Sequence, residues 1–335
     1  MSATAACILG CDGTALRAAE RSFFAETCPW GFILFARNVE TPDQLRRLTG
    51  DLRDAVGRDA PVFVDQEGGR VQRLRAPHWR EWPPPLDAVQ AAGPHAPRAM
   101  YLRARLIAAE LRAVGIDGNC APVADIAGPL THPFLRNRCY GSDLATVTAV
   151  ARAVADGLRD GGVLPVMKHM PGHGRATMDT HMDLPRVAET AEVLLRSDFA
   201  AFRALSDLPL GMTAHIVFSA LDDQPATCSA PVIRLIRNGI GFGGLLMTDD
   251  LSMQALSGTL AERAAAAQRA GCDVMLHCNG KRDEMQEVVA ASGVLAGAAL
   301  ARAGAALAAR RAPDGADPAA LEAELRQLAQ GWTDA

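Results

Sequence analysis

Several features are missing from this chain of 335 residues, and each absence narrows what the protein can be. No run of about eighteen apolar residues occurs, so a membrane-spanning helix is not expected. The N-terminal region carries Asp12 and Glu20 and lacks the continuous apolar core of a secretory signal peptide. The formal net charge is −4 and the basic residues are scattered, which argues against a nucleic-acid partner.

The cysteines also lack an ordered pattern. Eight are present at irregular spacings, and no CxxC pair occurs. In a chain of this size without a secretory signal, such residues are expected to be reduced, mostly buried thiols. We therefore expect a cytoplasmic protein that binds neither membranes nor nucleic acid. A monomer is also expected, although no feature of the sequence determines the oligomeric state.

The chain does contain eight short apolar segments that alternate with helical patterns. Most are continuous apolar stretches, as expected of parallel strands that are buried on both faces. They cover residues 6–10, 31–36, 61–64, 119–124, 163–167, 208–217, 244–247 and 272–276. Eight strands in alternation with helices predict an α/β fold, a single (β/α)8 TIM-type barrel.

Helix start and stop signals separate these segments. Thr41-Pro42-Asp43-Gln44 has the arrangement of a capping box, with threonine as the N-cap and proline at the first helical position. Ser142 is predicted to start a helix that ends at Gly161-Gly162, and Ser229 to start another.

The C-terminal segment is Ala-rich and helical, with a break at residues 312–315. It carries no strand pattern of its own, so it is interpreted as a packing appendage. We therefore expect one domain over residues 1–335, in which about 293–335 form a helical appendage to the barrel.

Polar or ionisable residues follow strand after strand. A single residue of this kind would more simply be a helix cap or a core histidine. In a barrel, however, the C-terminal ends of all strands open onto one face, where catalytic groups lie. The convergence of so many polar ends predicts an active site formed by Asp12, Arg37, Asp65, Asp125, Lys168, His169, His215, Asp249 and His277.

The densest polar segment follows the fifth predicted strand, over residues 168–174, with Asp179 and His181 shortly after it. Pro171 and the neighbouring glycines prevent a regular helix, so a shaped loop over the barrel mouth is expected. An Asp and a His two residues apart in an extended loop can turn toward each other. The carboxylate then orients the imidazole and favours its protonated form, which suits a general acid/base.

Two further polar segments follow the seventh and third strands. Asp249 in the barrel mouth can attack as a nucleophile or bind a cation. Its neighbour Asp250 is expected to be the N-cap of the following helix. Asp65 begins the segment over residues 65–73, and its carboxylate can accept hydrogen bonds from two vicinal hydroxyls.

At these residues the chain resembles glycoside hydrolase family 3, and most closely its compact bacterial β-N-acetylglucosaminidase branch. The matching motifs occur in order at residues 31–38, 65–73, 168–174 with 179–181, and 248–253. The Lys-His-x-Pro-Gly-His-Gly run with a downstream Asp-x-His is the most specific of them. The resemblance spans roughly residues 10–278.

The resemblance implies a retaining exo-β-N-acetylglucosaminidase with no metal and no cofactor. Its implied substrate is a cell-wall muropeptide with a terminal N-acetylglucosamine, processed in the cytosol during peptidoglycan recycling. Asp249 would be the nucleophile, His181 the acid/base and Asp179 its partner. The sugar would be held by Asp65, Arg73, Arg138, Lys168 and His169.

Three sites depart from the family pattern without altering a reacting atom. Met170 replaces the usual Phe, Thr180 replaces Ser, and Cys139-Tyr140 replaces Ser-Phe beside Arg138. Larger relatives append a second α/β domain that supplies an acid/base carboxylate. This chain ends soon after the eighth strand, so we expect the acid to come from the His181 loop.

Two other functions fit part of the pattern. A metal-dependent amidohydrolase on the same fold would draw its ligands from His169, His173, Asp179, His181, His215 and Asp249. Such barrels usually carry His-x-His at the end of the first strand, where this chain has Cys11-Asp12-Gly13. Restoration of activity by zinc after chelation would favour this function. A non-catalytic sugar-binding barrel would not explain why a nucleophile, an acid and an orienting Asp occur together.

Overall fold

The computed structural model describes residues 3–177 and 184–329. Eight parallel strands form its central sheet, and each of the eight segments predicted as strands contains all or part of one of them. This confirms the predicted barrel-type α/β fold. The strands are β1 (Ala5–Leu9), β2 (Pro29–Leu34), β3 (Val62–Val64), β4 (Gly118–Asn119), β5 (Leu164–Met170), β6 (Leu210–Thr213), β7 (Leu245–Met247) and β8 (Met275–His277).

The sheet closes on itself. From β1 to β7 each strand pairs in parallel with the next along the chain, and β1 also pairs with β8. Between β7 and β8, Met247 forms a parallel bridge with Val274, and the Thr248 N–H donates to the Val274 carbonyl at 3.1 Å. Because the ring is closed and parallel, the C-terminal ends of all eight strands share one face.

Alternate residues of each strand enter two different apolar clusters. Ile8, Ile33 and Phe63 belong to a cluster inside the ring. Their neighbours Leu9 and Phe32 belong to the larger cluster between the ring and the helices. The period of two in a β-strand produces this division, and both faces of the sheet are therefore buried.

Thirteen α-helices occur in the described part of the chain, most of them around the ring. They are α1 (Ala18–Thr27), α2 (Pro42–Val56), α3 (Pro85–Ala92), α4 (Ala96–Ala113), α5 (Pro133–Arg136), α6 (Leu144–Asp160), α7 (Ala191–Arg196), α8 (Asp198–Arg203), α9 (Ala230–Arg234), α10 (Leu260–Ala270), α11 (Arg282–Ser292), α12 (Gly297–Ala308) and α13 (Pro318–Leu328). Among these residues, no helix has both the length and the apolar character needed to span a membrane.

Two of the three predicted helix starts are confirmed. The Thr41 hydroxyl accepts a hydrogen bond from the Gln44 N–H at 3.2 Å at the start of α2. The Ser229 hydroxyl accepts one from the Val232 N–H, also at 3.2 Å, at the start of α9. Both contacts satisfy an N–H of the first turn that has no partner within the helix.

The third predicted start is wrong by one residue. Asp143, and not Ser142, is the N-cap of α6, and its Oδ1 accepts from the Thr146 N–H at 2.9 Å. An N-cap side chain reaches the N–H three residues further on, so the position of the first helical residue, Leu144, decides which of the two polar neighbours caps the helix.

Helix α12 covers the N-terminal end of the barrel. Its Ala303 and Ala306 belong to the inner apolar cluster. Arg302 NH2 lies 2.6 Å from Oδ1 of Asp273, shortly before β8, and Arg310 NH2 lies 2.7 Å from an oxygen of Asp117, directly before β4. These contacts close one end of the ring, which leaves the opposite end for a site.

Candidate active site

A cavity of about 220 Å³ opens at the C-terminal ends of the strands. Its lining in the described ranges includes six of the eight predicted site residues, which are Asp65, Arg73, Arg138, Lys168, His169 and Asp249. The other two, Asp179 and His181, lie outside the described residues. The volume is below the range of about 300–1,000 Å³ of typical ligand pockets, so it suits a ligand of the size of one sugar ring.

A buried lysine holds two carboxylates at the floor of the cavity. Lys168 Nζ lies 2.7 Å from Asp65 Oδ1 and 2.6 Å from Glu67 Oε1. Arg73 NH2 donates to the second oxygen of Asp65 at 3.1 Å. Burial alone would raise the pKa of Asp65, but the charges of Lys168 and Arg73 outweigh it and hold the pKa well below its usual range. Asp65 is therefore an ionised acceptor that faces the cavity.

Glu67 joins this lysine to an arginine. Arg138 donates to Glu67 through Nε at 2.9 Å and through NH2 at 2.8 Å, which is the bidentate geometry of strong arginine–carboxylate pairs. Burial acts to raise the pKa of Glu67, yet Arg138 and Lys168 lower it to about 2. Two of the proposed sugar-binding cations, Lys168 and Arg138, thus share one carboxylate.

The sequence reasoning assigned no role to Glu67, although it lies within the 65–73 motif. The predicted charges did indicate that a second carboxylate was needed in the site. Lys168 and Arg138 were both expected at the mouth of the barrel, and a buried cation needs a paired carboxylate. Asp65 alone does not satisfy two cations, so the next acidic residue of the motif was the natural second partner.

His169 is oriented by a second buried carboxylate. Its Nδ1 lies 2.7 Å from Oδ2 of Asp125, whose side chain is fully buried. Burial raises the pKa of Asp125, but the charge of His169 and its hydrogen bond lower the pKa below its usual value. An ionised Asp125 only accepts, so Nδ1 of His169 donates to it, which leaves Nε2 facing Arg138, 3.4 Å from NH2.

His173 also lines the cavity. Its backbone N–H donates to Asp125 at 2.7 Å, and within the described ranges its Nδ1 has no hydrogen-bond partner. Burial and the nearby charge of His169 lower the pKa of His173 to about 4. The imidazole is therefore neutral at pH 7.

Asp249 follows β7 and is partly exposed to the cavity. The Asp250 N–H donates to its Oδ1 at 2.8 Å. Burial would raise its pKa, but the charges of His215 and His169, this hydrogen bond and the charge of Lys168 bring the pKa below its usual value. The carboxylate is ionised near neutral pH, as a nucleophile requires.

The prediction that Asp250 caps a helix is wrong. The next helix, α10, begins only at Leu260 and is capped by Thr259. The Asp250 carboxylate instead accepts from the Ser252 N–H at 3.1 Å and from the Cys278 N–H at 3.2 Å. Residues 251–258 form turns, so the carboxylate ties the turn after β7 to the end of β8.

Not every polar strand end reaches the cavity. Asp12 is half-exposed and pairs with Arg17 at 2.9 Å. Arg37 donates to the carbonyls of Cys11 and Cys278, so it connects the ends of β1 and β8. His277 is fully buried behind the lining. Convergence of the strand ends on one face does not by itself place a side chain in the site.

The residues that depart from the family pattern at 139 and 140 do not line the cavity. Cys139 is fully buried, and its thiol lies 3.5 Å from the Leu135 carbonyl. The Tyr140 hydroxyl accepts from the Val123 N–H at 3.3 Å. Both side chains support the backbone that carries Arg138.

Two of the donors proposed for a metal-dependent amidohydrolase are bound to other partners. His169 bonds to Asp125, and His215 bonds to Thr227 and to a backbone carbonyl. Across residues 3–177 and 184–329, no three His, Cys, Asp or Glu side chains form a group that would hold a metal ion.

Comparison with known proteins places this geometry in context. The model of the family described as "Glycosyl hydrolase family 3 N terminal domain" matches residues 13–306. A beta-hexosaminidase of Alkalilimnicola ehrlichii is 39% identical over 279 residues, which cover 81% of this chain and 80% of that protein. A beta-hexosaminidase of Methylococcus capsulatus is 39% identical over 273 residues, with 80% of each chain covered.

Solved structures agree with this relationship. NagZ from Neisseria gonorrhoeae, in complex with N-trifluoroacetyl-D-glucosamine, has a TM-score of 0.87 and 28% identity, over 98% of this chain and 99% of that one. A glycoside hydrolase family 3 beta-N-acetylglucosaminidase from Paenibacillus sp. str. FPU-7 has a TM-score of 0.87 and 29% identity, over 97% of this chain and 67% of that one.

Proposed function

The chain belongs to glycosyl hydrolase family 3 and is therefore a glycosidase, and we propose that it is a retaining exo-β-N-acetylglucosaminidase. The observation that carries this proposal is the ionised Asp249 in a sugar-sized cavity beside Asp65, Lys168 and His169. The β-hexosaminidase relatives and the glucosamine derivative bound to the Neisseria protein support N-acetylglucosamine as the sugar.

In the first step, Asp249 attacks C1 of the sugar while the bond from C1 to the leaving oxygen breaks. Protonated His181, oriented by Asp179, gives its proton to that oxygen. The product is a glycosyl-aspartate and a free aglycone. The low pKa of Asp249 supports this role, because the carboxylate is available without a separate base.

In the second step, His181 accepts a proton from water, and the water oxygen attacks C1. The bond from C1 to Asp249 breaks and the carboxylate is regenerated. Two inversions return the sugar with its β configuration. One imidazole serves both steps, first as acid and then as base.

The cations and carboxylates at the floor orient the sugar for these steps. Asp65 offers ionised oxygens to sugar hydroxyls, and Lys168 and Arg138 offer donors. Because Glu67 already fixes both cations, little reorganisation is needed when the sugar binds. Arg73 and His169 complete the proposed sugar-binding set.

The finer features of the proposal are a muropeptide substrate, a cytosolic location and action as a monomer without cofactor, membrane or nucleic-acid partner. A cavity with the volume of one sugar supports removal of a single terminal residue. All eight cysteines are free thiols, which fits a reducing compartment.

The leaving group provides the test of the two catalytic roles. His181→Ala should slow release of a sugar alkoxide by about 10²–10⁴-fold, because that oxygen needs a proton. A nitrophenolate leaves unaided, so a burst of nitrophenol followed by slow turnover is expected, with azide partly restoring the rate as a glycosyl azide. Asp179→Ala should show a milder form of the same behaviour. Equal slowing of both substrates, without burst or azide rescue, would give His181 another role.

A further inference from the structure

A chain of buried hydrogen bonds leads to the nucleophile from behind the cavity. His215, just beyond the end of β6, is fully buried, as are Thr213 and Thr227. The two threonine hydroxyls lie 2.8 Å apart, and the Thr227 hydroxyl lies 2.8 Å from Nδ1 of His215. Nε2 of His215 lies 3.0 Å from the carbonyl oxygen of Asp250.

The chemistry of the partners fixes the direction of these bonds. Burial lowers the pKa of His215 against the opposing charge of Asp249, so the imidazole is neutral near pH 7. A carbonyl only accepts, so the single ring proton is on Nε2 and is donated to Asp250. Nδ1 then accepts from Thr227, although the Ala214 carbonyl at 3.0 Å is a second acceptor for that hydroxyl. Besides Asp249, the charged or titratable groups that face the ring are Asp250 and His169.

Residue 250 is thereby held on two sides. His215 donates to the backbone carbonyl of Asp250. The Asp250 carboxylate accepts from the N–H groups of Ser252 and Cys278. The remaining polar group, the Asp250 N–H, donates to Oδ1 of Asp249 at 2.8 Å. Any rotation of the backbone at residue 250 would move this donor and, with it, the carboxylate that attacks the sugar.

We propose that His215 is a positioning residue for the nucleophile, which acts through the Asp250 carbonyl to hold the N–H that orients the Asp249 carboxylate. The role rests on the proposed function, in which Asp249 attacks C1. His215 is fully buried and does not line the cavity, so its contribution is to the rate of attack and not to the affinity for the sugar. A shift of about 1 Å in a reacting group is enough to cost about 10²-fold in rate.

Two polar replacements of similar chemistry separate positioning from general packing. In His215→Gln the amide nitrogen reaches the place of Nε2 and can still donate to the Asp250 carbonyl. In His215→Asn the shorter amide reaches only the place of Nδ1 and keeps the Thr227 contact. We expect kcat for nitrophenyl N-acetyl-β-glucosaminide to fall about 10–100-fold in the Asn variant and to stay within about 5-fold in the Gln variant. KM should change less than about 3-fold in both.

Thr227→Val keeps His215 and removes only the hydroxyl that contacts its Nδ1. We expect a loss in kcat of about 2–10-fold with KM unchanged, the range of one hydrogen bond. Thermal melting will show whether the Asn variant folds. If it does not, the Thr227→Val variant still tests the positioning role of His215. Equal losses in the Gln and Asn variants, or full activity in both Asn and Val variants, would overturn the positioning role. Activity retained in Asp249→Asn would instead overturn the proposed function, so the two failures are distinguishable.

Discussion

Each end of the barrel contains a buried carboxylate that is paired with two cationic side chains. At the N-terminal end, Asp273 lies between Arg237 at 2.7 Å and Arg302 at 2.6 Å. At the C-terminal end, Glu67 lies between Lys168 at 2.6 Å and Arg138 at 2.8 Å. Each carboxylate is almost fully buried and each is shared by two cations.

What differs is the surface that the ion pairs face. Helix α12 covers the N-terminal end, where Arg302 of this helix and Arg237, both partly exposed to solvent, pair with the buried Asp273 and join the helix to the ring. At the C-terminal end, Lys168 and Arg138 line a cavity, and Glu67 lies behind them. A network of buried charges does not by itself indicate a functional site. The position of the network at the open, C-terminal end of the strands does. Substitutions at the open end should lower activity most, and those at the closed end should lower stability alone.

The largest expected effect is at Asp249, the proposed nucleophile. Asp249→Asn should lower kcat by more than about 10³-fold, because an amide cannot form the glycosyl intermediate. The melting temperature should change little, since the amide oxygen can still accept from the Asp250 N–H. Steady-state kinetics and calorimetry on the same preparation check both statements. Turnover near that of the wild type would show that the open end was assigned to the wrong carboxylate.

The next effect is at the buried lysine. Lys168→Met removes a cation shared by Asp65 and Glu67, and we expect kcat/KM to fall about 10²–10³-fold. Two carboxylates left with fewer partners should also lower the free energy of unfolding by about 3–5 kcal/mol.

Arg302→Met is the matched change at the closed end. Asp273 keeps Arg237, so the free energy of unfolding should fall by only about 1–3 kcal/mol, with kcat/KM within about 2-fold of the wild type. Urea unfolding and kinetics at one temperature compare the pair. A large loss of activity in Arg302→Met without unfolding would break the distinction between the two ends.

A smaller effect concerns the pH dependence of stability. The pKa of Glu67 is lowered to about 2 in the fold, from about 4.3 when unperturbed. Its stabilising contribution is thus present in full above about pH 4.3 and is lost as the pH falls toward 2. Glu67→Gln should be less stable than the wild type by about 1–3 kcal/mol at pH 7, and the difference should shrink below about pH 4. A difference in the free energy of unfolding that stays constant from pH 7 to pH 3 would contradict the pairing of an ionised Glu67 with Lys168 and Arg138.

The smallest effect is expected at a strand end outside the cavity. Asp12→Asn removes an exposed ion pair with Arg17, and such pairs contribute about 0–1 kcal/mol. Activity should stay within about 2-fold, as measured by kcat/KM. A strong loss of kcat/KM would mean that Asp12 serves the site although it does not line the cavity.

The fold and six of the residues that line the cavity could be predicted, because the sequence patterns that indicate them are local. An apolar run followed by a polar residue marks a buried parallel strand and its C-terminal end, and Asp65 and Asp249 were found in this way. The role of Asp250 could not be predicted, since it depends on a distant partner, whereas the pairing of Glu67 was missed although two expected buried cations called for a second carboxylate. Asp250 accepts from Cys278, 28 positions away, and Glu67 binds Arg138, 71 positions away. Only the closed ring brings these residues together.

The central claim is that Asp249 attacks C1 of the sugar, and trapping the intermediate tests it most directly. A 5-fluoro-N-acetylglucosaminyl fluoride has a good leaving group, and its ring fluorine slows hydrolysis of the glycosyl-enzyme. After incubation and proteolysis, mass spectrometry should find the sugar on Asp249 alone, in proportion to the activity lost. Attachment to Asp250 or Asp65, or continued turnover with no adduct on any carboxylate, would contradict the account.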